Sequence, residues 1–301
     1  MLRRALVTGC SGRIGRRLAA GLCAQGVKVL GISHDCDDAS YRLDLIRETD
    51  RCAKLVKGYC PDVIFHCAAL IRGEEEVLCR SNALMLHTIV QGLVRCDKPP
   101  CLVNLSSAAE LGIVTAECSP VKEDFSCSPV NAYGKSKLVQ TESALALSQE
   151  HGFRCLCPRV FNVLGGGAQT GTAVGDWCRQ IVLMVAGGQK KILKTGDLSL
   201  SRDFIEMDAV VQSLPALAAC PQAFGIVNVG SGQGTSYRRI VEMLRAMAGI
   251  EFEIEEDPAL GCTGRRVPEV VADCTKLTGL LGHSLDFNLE RALRCCLSEA
   301  Q

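Results

Sequence analysis

A glycine-rich turn directly after the first apolar segment limits the possible folds of this chain more than any other feature. The turn reads Thr8-Gly-Cys-Ser-Gly-Arg-Ile-Gly15, so its glycines are spaced G-x-x-G-x-x-G. Residues without a side chain let the backbone approach a pyrophosphate, which the following helix N-terminus binds through free N–H groups and its positive dipole end. A tight structural turn is the alternative, but a position between a predicted strand and a predicted helix favours a dinucleotide site.

The first half of the chain alternates between strand-like and helix-like patterns. Apolar runs of strand length occur at residues 5–8, 27–32, 63–67, 101–105 and 155–160. Longer amphipathic stretches separate them, at 13–25, 45–58, 74–96 and 132–151. Strands connected by helices imply right-handed crossovers and a parallel sheet covered by helices on both faces. We therefore predict an α/β fold, a doubly wound parallel sheet of the Rossmann type with a smaller C-terminal α/β substrate region.

The pattern changes after residue 162, where a glycine-rich loop begins. We predict a dinucleotide-binding domain at 1–165, with segments near 200–230 that return to its sheet. The returning strands are expected at 201–208 and 225–229. The substrate-binding region is expected to comprise 166–199 and 231–301.

Composition indicates a globular protein and gives no argument for a charged partner. The chain is 48% hydrophobic and 22% charged, and its formal net charge is zero. Neither nucleic acid nor an anionic membrane surface is therefore an expected partner. The first apolar run is too short for a signal peptide, and no run reaches the roughly 18 apolar residues of a membrane span. We expect a cytoplasmic protein.

The sequence contains 19 cysteines, an unusual number. No Cys-x-x-Cys occurs, so neither a zinc knuckle nor a thioredoxin-type pair is predicted. Many of the cysteines lie in apolar segments, where a reduced thiol packs as a small hydrophobic group. A reducing compartment fits this interpretation, and a metal or redox role is the less favoured alternative. We predict no metal site.

Three residues form a candidate catalytic set: Ser107, Tyr133 and Lys137. A tyrosine and a lysine at i and i+4 lie on one face of a helix, and a neighbouring ammonium lowers the pKa of a phenol. Ser107 ends an apolar strand, so its hydroxyl is available to the same substrate oxygen. This arrangement suits hydride transfer at a carbonyl. Many helices contain Tyr-x-x-x-Lys by chance, so its significance depends on the glycine-rich turn.

The end of the second predicted strand bears on the choice of cofactor. An acidic residue there would bind the 2′-hydroxyl of NAD and repel the 2′-phosphate of NADP. Ser33 and His34 occupy this place instead, and Arg13 adds positive charge nearby. We therefore predict NADP in preference to NAD. The alternative is that Asp35 or Asp37 still reaches the ribose.

With these features in place, the chain resembles the extended short-chain dehydrogenase/reductase family, in particular its NAD-dependent epimerase/dehydratase branch, which acts on nucleotide sugars. The matching segments are His66-Cys-Ala-Ala69, Pro158-Arg-Val-Phe-Asn162, Arg202-Asp-Phe-Ile205, Asn228-Val-Gly-Ser-Gly232 and Arg265-Arg266. The C-terminal third looks most like GDP-6-deoxy-4-keto-mannose reductases. The resemblance also implies a homodimer formed through the helices at 74–96 and 132–151.

The glycine-rich turn and the resemblance together imply two sets of binding residues. The cofactor set comprises Gly9, Ser11, Gly12, Arg13, Ile14, Gly15, Ser33, His34, Asp44, Leu45, Cys67, Ala68, Ala69, Asn82, Tyr133 and Lys137. The substrate set comprises Ser107, Asn162, Arg202 and Arg266. Arg202 has an alternative role in a buried ion pair with Asp203. His66 and Trp177 are interpreted as packing residues rather than as a base and a base-stacking ring.

The residues after Ser107 distinguish between the reactions of the branch. Dehydratases of this branch carry an acidic pair there, whereas this chain has Ala108 and Ala109, with Glu110 one place late. Removal of a proton and elimination of water need an acid and a base, so dehydration is disfavoured. Reduction of a 4-keto nucleotide sugar is the leading prediction. The alternatives are a nucleotide-sugar 4-epimerase and a non-catalytic dinucleotide-binding sensor.

Overall fold

A computed structural model of the chain describes residues 2–35, 41–166, 171–187, 191–260 and 268–300. The helices are α1 (Arg13–Ala24), α2 (Thr49–Tyr59), α3 (Glu75–Leu93), α4 (Ala132–His151), α5 (Ala173–Val185), α6 (Met207–Ala219), α7 (Tyr237–Ala248), α8 (Thr275–Leu281) and α9 (Leu289–Glu299). The strands are β1 (Arg4–Thr8), β2 (Lys28–Ser33), β3 (Tyr41–Arg42), β4 (Val63–His66), β5 (Cys101–Asn104), β6 (Ser106–Ser107), β7 (Cys155–Val160), β8 (Asn162–Leu164), β9 (Ile192–Thr195), β10 (Ser201–Glu206), β11 (Gly225–Val229), β12 (Gly234–Ser236), β13 (Glu253–Glu256) and β14 (Glu269–Val270).

The central sheet is parallel and is covered on both faces. Its strand order is β11-β7-β5-β4-β1-β2-β3, and β6 also pairs with β7. Strands β4, β5 and β7 are buried along their whole length, as expected of parallel strands with helices on both sides. One apolar core includes Leu18 of α1 and Leu214 of α6, and the other includes Val56 of α2 and Leu86 of α3. The predicted doubly wound sheet is confirmed.

The second half of the chain adds a smaller α/β part with its own core. Strand β10 lies between β12 and β14 and also pairs with β8, while β9 pairs with β13. Trp177 of α5, Ile240 of α7 and Leu293 of α9 belong to one apolar cluster there. Within the described ranges, no helix has both the length and the apolar character needed to cross a membrane.

Only one of the two expected returning strands joins the central sheet. Strand β11 pairs with β7, as predicted for residues 225–229. The prediction for 201–208 is wrong, because β10 pairs with β8 in the second sheet, with Phe204 opposite Asn162. In the folded chain β5 and β11 flank β7, and β10 pairs instead with β8, which follows β7 directly.

The strand order places a crevice at the carboxyl ends of β1 and β4. From β1 the chain proceeds outward to β2 and β3 and then returns to β4 on the opposite side of β1. Ligands of open α/β sheets bind outside the carboxyl ends of strands at such a reversal of order. Thr8 and His66 end the two strands at this position.

Candidate active site

The glycine-rich turn leaves no room for side chains at two positions. Gly9 has a φ of +64°, and a Cβ atom there would lie 2.8 Å from the backbone nitrogen of Ala68. A Cβ atom on Gly15 would lie 2.2 Å from the carbonyl oxygen of Gly9. Gly12 precedes α1 as its N-cap and supplies no side-chain cap, so the first N–H groups of α1 lack such a partner. This cradle fits the pyrophosphate of a dinucleotide.

The hydroxyl groups of Ser11 and Ser33 meet where β2 ends. Their oxygens lie 2.5 Å apart, and Ser33 Oγ also accepts a hydrogen bond from the backbone of Asp35 at 3.3 Å. His34 Nδ1 lies 2.7 Å from Asp35 Oδ1, and both side chains are exposed. Arg13 has a different partner, since its Nη2 donates to the carbonyl oxygen of Gly165 at 2.6 Å. Asp37 lies outside the described residues.

Four further predicted cofactor residues, Cys67, Ala68, Ala69 and Asn82, belong to the loop after β4 or are bonded to it. Ala68 donates its N–H to Thr8 Oγ1 at 3.2 Å, in the same short segment as Cys67 and Ala69. Asn82 is fully buried and exchanges two hydrogen bonds with the backbone of Leu70, at 2.8 and 3.1 Å. Its amide therefore anchors the loop after β4.

Three other predicted cofactor residues have local structural partners. Asp44 accepts from the backbone of Ile46 at 2.8 Å and so caps the turn after β3. Leu45 belongs to the apolar core on one face of the sheet, and Ile14 packs against the core on the other face. Because these side chains already have partners within the protein, they would contact a cofactor mainly through van der Waals packing and through their backbone groups.

The structure brings Ser107 and Tyr133 together through a close approach of two elements. Asn131 caps α4 by accepting from the backbone of Gly134 at 2.8 Å. A Cβ atom on Gly134 would lie 2.2 Å from the carbonyl oxygen of Ala109, so α4 packs directly on the turn that follows Ser107. Burial raises the pKa of Tyr133, and a hydrogen bond with the Ser107 side chain opposes that shift. The expected lowering of this pKa by Lys137 is wrong, because burial outweighs other effects.

Lys137 is buried and lies in a chain of polar groups. Its Nζ donates to Gln140 Oε1, so the amide nitrogen of Gln140 faces His66 Nε2, at 3.2 Å. Nε2 therefore accepts, and the ring proton lies on Nδ1, 2.8 Å from Thr8 Oγ1. Burial lowers the pKa of Lys137 to about 8, and burial together with the Lys137 charge lowers that of His66 to about 3. His66 is thus a neutral, bonded group at the end of β4.

A cavity of about 570 Å³ opens beside Ser107 and Tyr133. Its walls include Arg13, Ala108, Ala109, Ile113, Val130, Asn162, Thr172, Asp197, Arg202, Tyr237, Glu256 and Asp257. Among the described residues of the walls, the stretches around Ser107 and Tyr133 contribute no carboxylate. Within the described ranges, no cluster of three histidine, cysteine or acidic side chains is arranged to hold a metal.

Three predicted substrate residues, Ser107, Asn162 and Arg202, line this cavity, and the fourth lies outside the described residues. Arg202 lines it, whereas Asp203 is buried and accepts from the backbone of Ser231 at 2.8 Å and of Gly232 at 2.9 Å. The carboxylate of Asp203 is therefore engaged by backbone N–H groups, which argues against the ion-pair alternative for Arg202. Asn162 lines the cavity as well, and its Nδ2 donates to the carbonyl oxygen of Asp203 at 2.8 Å. Arg266 lies outside the described residues.

Sequence reasoning missed Tyr237, which lines the cavity, and the structural contact made by Glu110 beside it. The ring of Tyr237 is edge-on to the buried Trp177, at 5.4 Å between centroids. Glu110 is fully buried and accepts from the backbone of Ser107 at 3.2 Å, while Ser107 Oγ accepts from the backbone of Ala109. The spacing Ser-x-x-Glu is the signature of a capping box and is the signal that predicts this contact. No local pattern identifies Tyr237.

The fold and the site define a dinucleotide-binding enzyme of the extended short-chain dehydrogenase/reductase type. Residues 5–230 match the model of the NAD dependent epimerase/dehydratase family. The chain belongs to this family.

Similar proteins are known from bacteria. GDP-6-deoxy-D-mannose reductase of Pseudomonas aeruginosa is 29% identical over 308 residues, covering 99% of this chain and 97% of that protein. The dTDP-6-deoxy-L-talose 4-dehydrogenase (NAD(P)(+)) of Kitasatospora kifunensis is 28% identical, covering 97% and 93%. The structure of RMD from Pseudomonas aeruginosa complexed with NADPH has a TM-score of 0.88 at 27% identity, covering 100% and 98%. These relatives support the assignment of the chain as an enzyme.

Proposed function

We propose that the chain is an NAD(P)-dependent oxidoreductase that reduces the 4-keto group of a nucleotide-diphosphate sugar. The observation that carries this proposal is the pair of hydroxyls, Ser107 and Tyr133, beside the alanine wall of Ala108 and Ala109. Hydride transfer at one carbon needs a proton donor there, and dehydration would need a further acid and base. The names of the two similar bacterial enzymes agree with this chemistry.

Each residue of the site has a role in this reduction. The keto oxygen would lie between the hydroxyls of Ser107 and Tyr133. Tyr133 stays protonated at neutral pH because burial raises its pKa, so it can give its proton to the developing alkoxide. Ser107 donates a hydrogen bond to the same oxygen, and loss of one such donor costs about 3 kcal/mol. A bound nicotinamide supplies the hydride, and Lys137 would bind its ribose.

The diphosphate of the substrate would bind at the far end of the cavity, at Arg202. This guanidinium lines the cavity together with Asn162 and Tyr237. On this proposal 1–165 forms the cofactor domain together with the returning strand β11, and 166–199 with 231–301 forms the substrate region, to which β10 adds Arg202. Arg266 is proposed as a further substrate residue on the sequence alone.

NADP is the preferred cofactor on this proposal. The Ser11 and Ser33 hydroxyls at the end of β2 suit a 2′-phosphate, and His34 follows directly. Asp35 is the competing feature, because its carboxylate would favour NAD. A higher kcat/KM with NADH than with NADPH would refute the preference.

We further propose a cytoplasmic homodimer. Val77 and Leu84 of α3 and Val139 of α4 are exposed apolar side chains on the two helices that the family resemblance assigns to a dimer. Sedimentation of a monomer at micromolar concentration would refute this oligomeric state.

The test of the reaction is turnover of a panel of 4-keto nucleotide sugars with NADPH, followed by nicotinamide absorbance. Tyr133→Phe is expected to abolish turnover and to leave the NADPH dissociation constant within about twofold, because it removes the proton donor and little binding surface. Tyr59→Phe is the matched control, since Tyr59 donates to the carbonyl oxygen of Lys28 away from the cavity. Near-normal turnover in Tyr133→Phe would exclude the assigned role.

A 4-epimerase is the second candidate, because UDP-glucose 4-epimerase of Azospirillum brasilense is 26% identical over 313 residues. An epimerase regenerates its nicotinamide at each turnover, whereas a reductase must exchange it. Tightly bound cofactor in the purified protein, with interconversion of 4-epimers and no net oxidation of NADPH, would favour the epimerase.

A further inference from the structure

A carboxylate and a guanidinium are buried together next to the cavity wall. The side chains of Glu110 and Arg159 are 0% and 1% exposed, and Glu110 Oε2 lies 3.6 Å from Arg159 Nε. Neither residue lines the cavity. Arg159 is held in turn by the carbonyl oxygen of Glu123 and by Cys127 Sγ, both at 3.4 Å.

The other oxygen of Glu110 connects two elements that carry the reacting hydroxyls. Oε1 accepts from the backbone N–H of Ser107 at 3.2 Å and from the hydroxyl of Thr141 at 2.9 Å. Thr141 lies on α4, four residues after Lys137, and its hydroxyl is 2.6 Å from that of Ser106. The carboxylate therefore joins the turn after β6, helix α4 and strand β7.

Stability alone is a weak reason for such a pair. Replacement of a buried ion pair by apolar side chains of similar volume is often neutral or stabilising, because desolvation offsets the attraction. The pair does, however, act directly on the site. Burial lowers the pKa of Lys137, and the nearby Glu110 carboxylate opposes that shift. Its contact with the Ser107 backbone fixes one end of the hydroxyl pair.

We propose that Glu110 is a positioning residue: clamped by Arg159 and Thr141, it holds the backbone of Ser107 so that the Ser107 hydroxyl stays at Tyr133. This role rests on the proposed reduction, in which Ser107 and Tyr133 contact the keto oxygen. It assigns to Glu110 a function other than that of an acid or base, because its carboxylate faces the protein interior.

The variant Glu110→Asp shortens the side chain at position 110 while it keeps the negative charge of the carboxylate. Aspartate keeps a carboxylate for Arg159 but withdraws it from the Ser107 N–H by one methylene group. We expect kcat to fall by about 10- to 100-fold, because small misplacements of reacting groups cost up to about two orders of magnitude. KM for NADPH should stay within about twofold, since aspartate keeps the negative charge near Lys137 and the partners of Glu110 are Ser107, Thr141 and Arg159 rather than the glycine-rich turn.

Glu206→Asp is the matched control. Glu206 likewise accepts from a backbone N–H, that of Asn288 at 2.6 Å, and pairs with an arginine, Arg291, at 2.8 Å. The control is expected to lower the melting temperature and to leave kcat unchanged. An equal loss of kcat in both variants would assign the effect to general destabilisation and overturn the proposal.

A double-mutant cycle with Ser107→Ala tests whether Glu110 acts through Ser107. In the Ser107→Ala background the effect of Glu110→Asp should shrink to less than about threefold, because coupled residues are not additive. The same fold-change in both backgrounds overturns the role. If Glu110→Asp does not fold, Thr141→Val, which removes a clamp on the same oxygen, takes its place in the cycle with the same criteria.

Wild-type turnover is measured first, so that two failures remain distinct. Absence of reduction with every 4-keto nucleotide sugar refutes the proposed function and the role of Glu110 with it. Additive effects in an active wild-type enzyme refute only the role of Glu110.

Discussion

Lys137 combines nearly complete burial with an ionisable ammonium. The side chain donates to Gln140 Oε1, and burial lowers its pKa to about 8, because a charge with little access to water is costly. The ammonium is thus present at neutral pH and is lost within the pH range in which enzymes are assayed. Its charge is the one that would bind a nicotinamide ribose on the proposed mechanism.

The kcat/KM for NADPH is therefore expected to fall as pH rises through about 8, since this parameter reports ionisations of the free enzyme. Arginine keeps its charge throughout this range. The fall should consequently move to higher pH in Lys137→Arg, even if the maximum is lower. Lys135→Arg is the control, because Lys135 is partly exposed on the same helix, 2.8 Å from Glu75. If kcat/KM falls at the same pH in Lys137→Arg as in the wild type, the ionisation belongs to another group.

At the scale of single residues, the sequence predicted which side chains lie near the cavity better than it predicted the direction of their pKa shifts. Ser107 and Tyr133 both line the cavity, and Lys137 is buried one helical turn after Tyr133, while the catalytic roles of all three stay predictions. The direction of the Tyr133 shift was wrong, since burial and the direction of the lysine side chain depend on contacts between distant segments. Glu110 was interpreted only as an acid in a late position, although its Ser-x-x-Glu spacing is a local signal for a cap.

At the scale of elements, the contact between α4 and the turn after β6 sets the distance between the two hydroxyls. Gly134 lies in the first turn of α4, where a Cβ atom would lie 2.2 Å from the carbonyl oxygen of Ala109 and 3.1 Å from Pro129 Cβ. Because one of these neighbours is backbone, the helix and not a flexible side chain would have to move. Glycine at 134 is thus a requirement of the close approach.

Gly134→Ala is expected to lower stability by about 1–3 kcal/mol and kcat by about 10-fold or more, because the displaced helix carries Tyr133 away from Ser107. Gly58→Ala is the matched control in α2, where a Cβ atom would meet nothing within 4 Å. It should stabilise the protein by up to about 1 kcal/mol, the difference in helix propensity. Melting temperature and kcat are measured for both variants. Unchanged kcat in Gly134→Ala would show that the contact is not needed for catalysis.

The elements themselves were predictable wherever a local period defined them. The alternation of apolar and amphipathic segments gave the parallel sheet, and residues 225–229 return to it as β11. Residues 201–208 form a strand but not in the expected sheet. No local pattern in a short strand identifies its partner, because strand pairing is decided by contacts between segments that are distant in the sequence.

At the scale of the whole molecule, the cavity connects the part built on the central sheet with the smaller C-terminal part. Ser107 and Tyr133 belong to the first part, whereas Arg202 and Tyr237 belong to the second. The side chains of α1 also bridge the two parts, since Arg17 pairs with Glu299 of α9 at 3.1 Å. On the proposed function, cofactor and nucleotide sugar therefore bind to different parts and meet at the reacting hydroxyls.

Thermal shifts with each ligand alone test this division. A ligand at 100 times its dissociation constant stabilises the folded state by about 2.7 kcal/mol, so NADPH and a nucleoside diphosphate should each raise the melting temperature. Gly15→Ala should lose the NADPH shift and keep the other, because the added Cβ atom would lie 2.2 Å from the carbonyl oxygen of Gly9 in the pyrophosphate cradle. Arg202→Gln should show the reverse.

Arg294→Gln, at an exposed residue paired with Glu290, is the control that keeps both shifts. Loss of both shifts in either variant would mean that the ligands do not bind to separate parts, and a full diphosphate shift in Arg202→Gln would exclude Arg202 as its ligand.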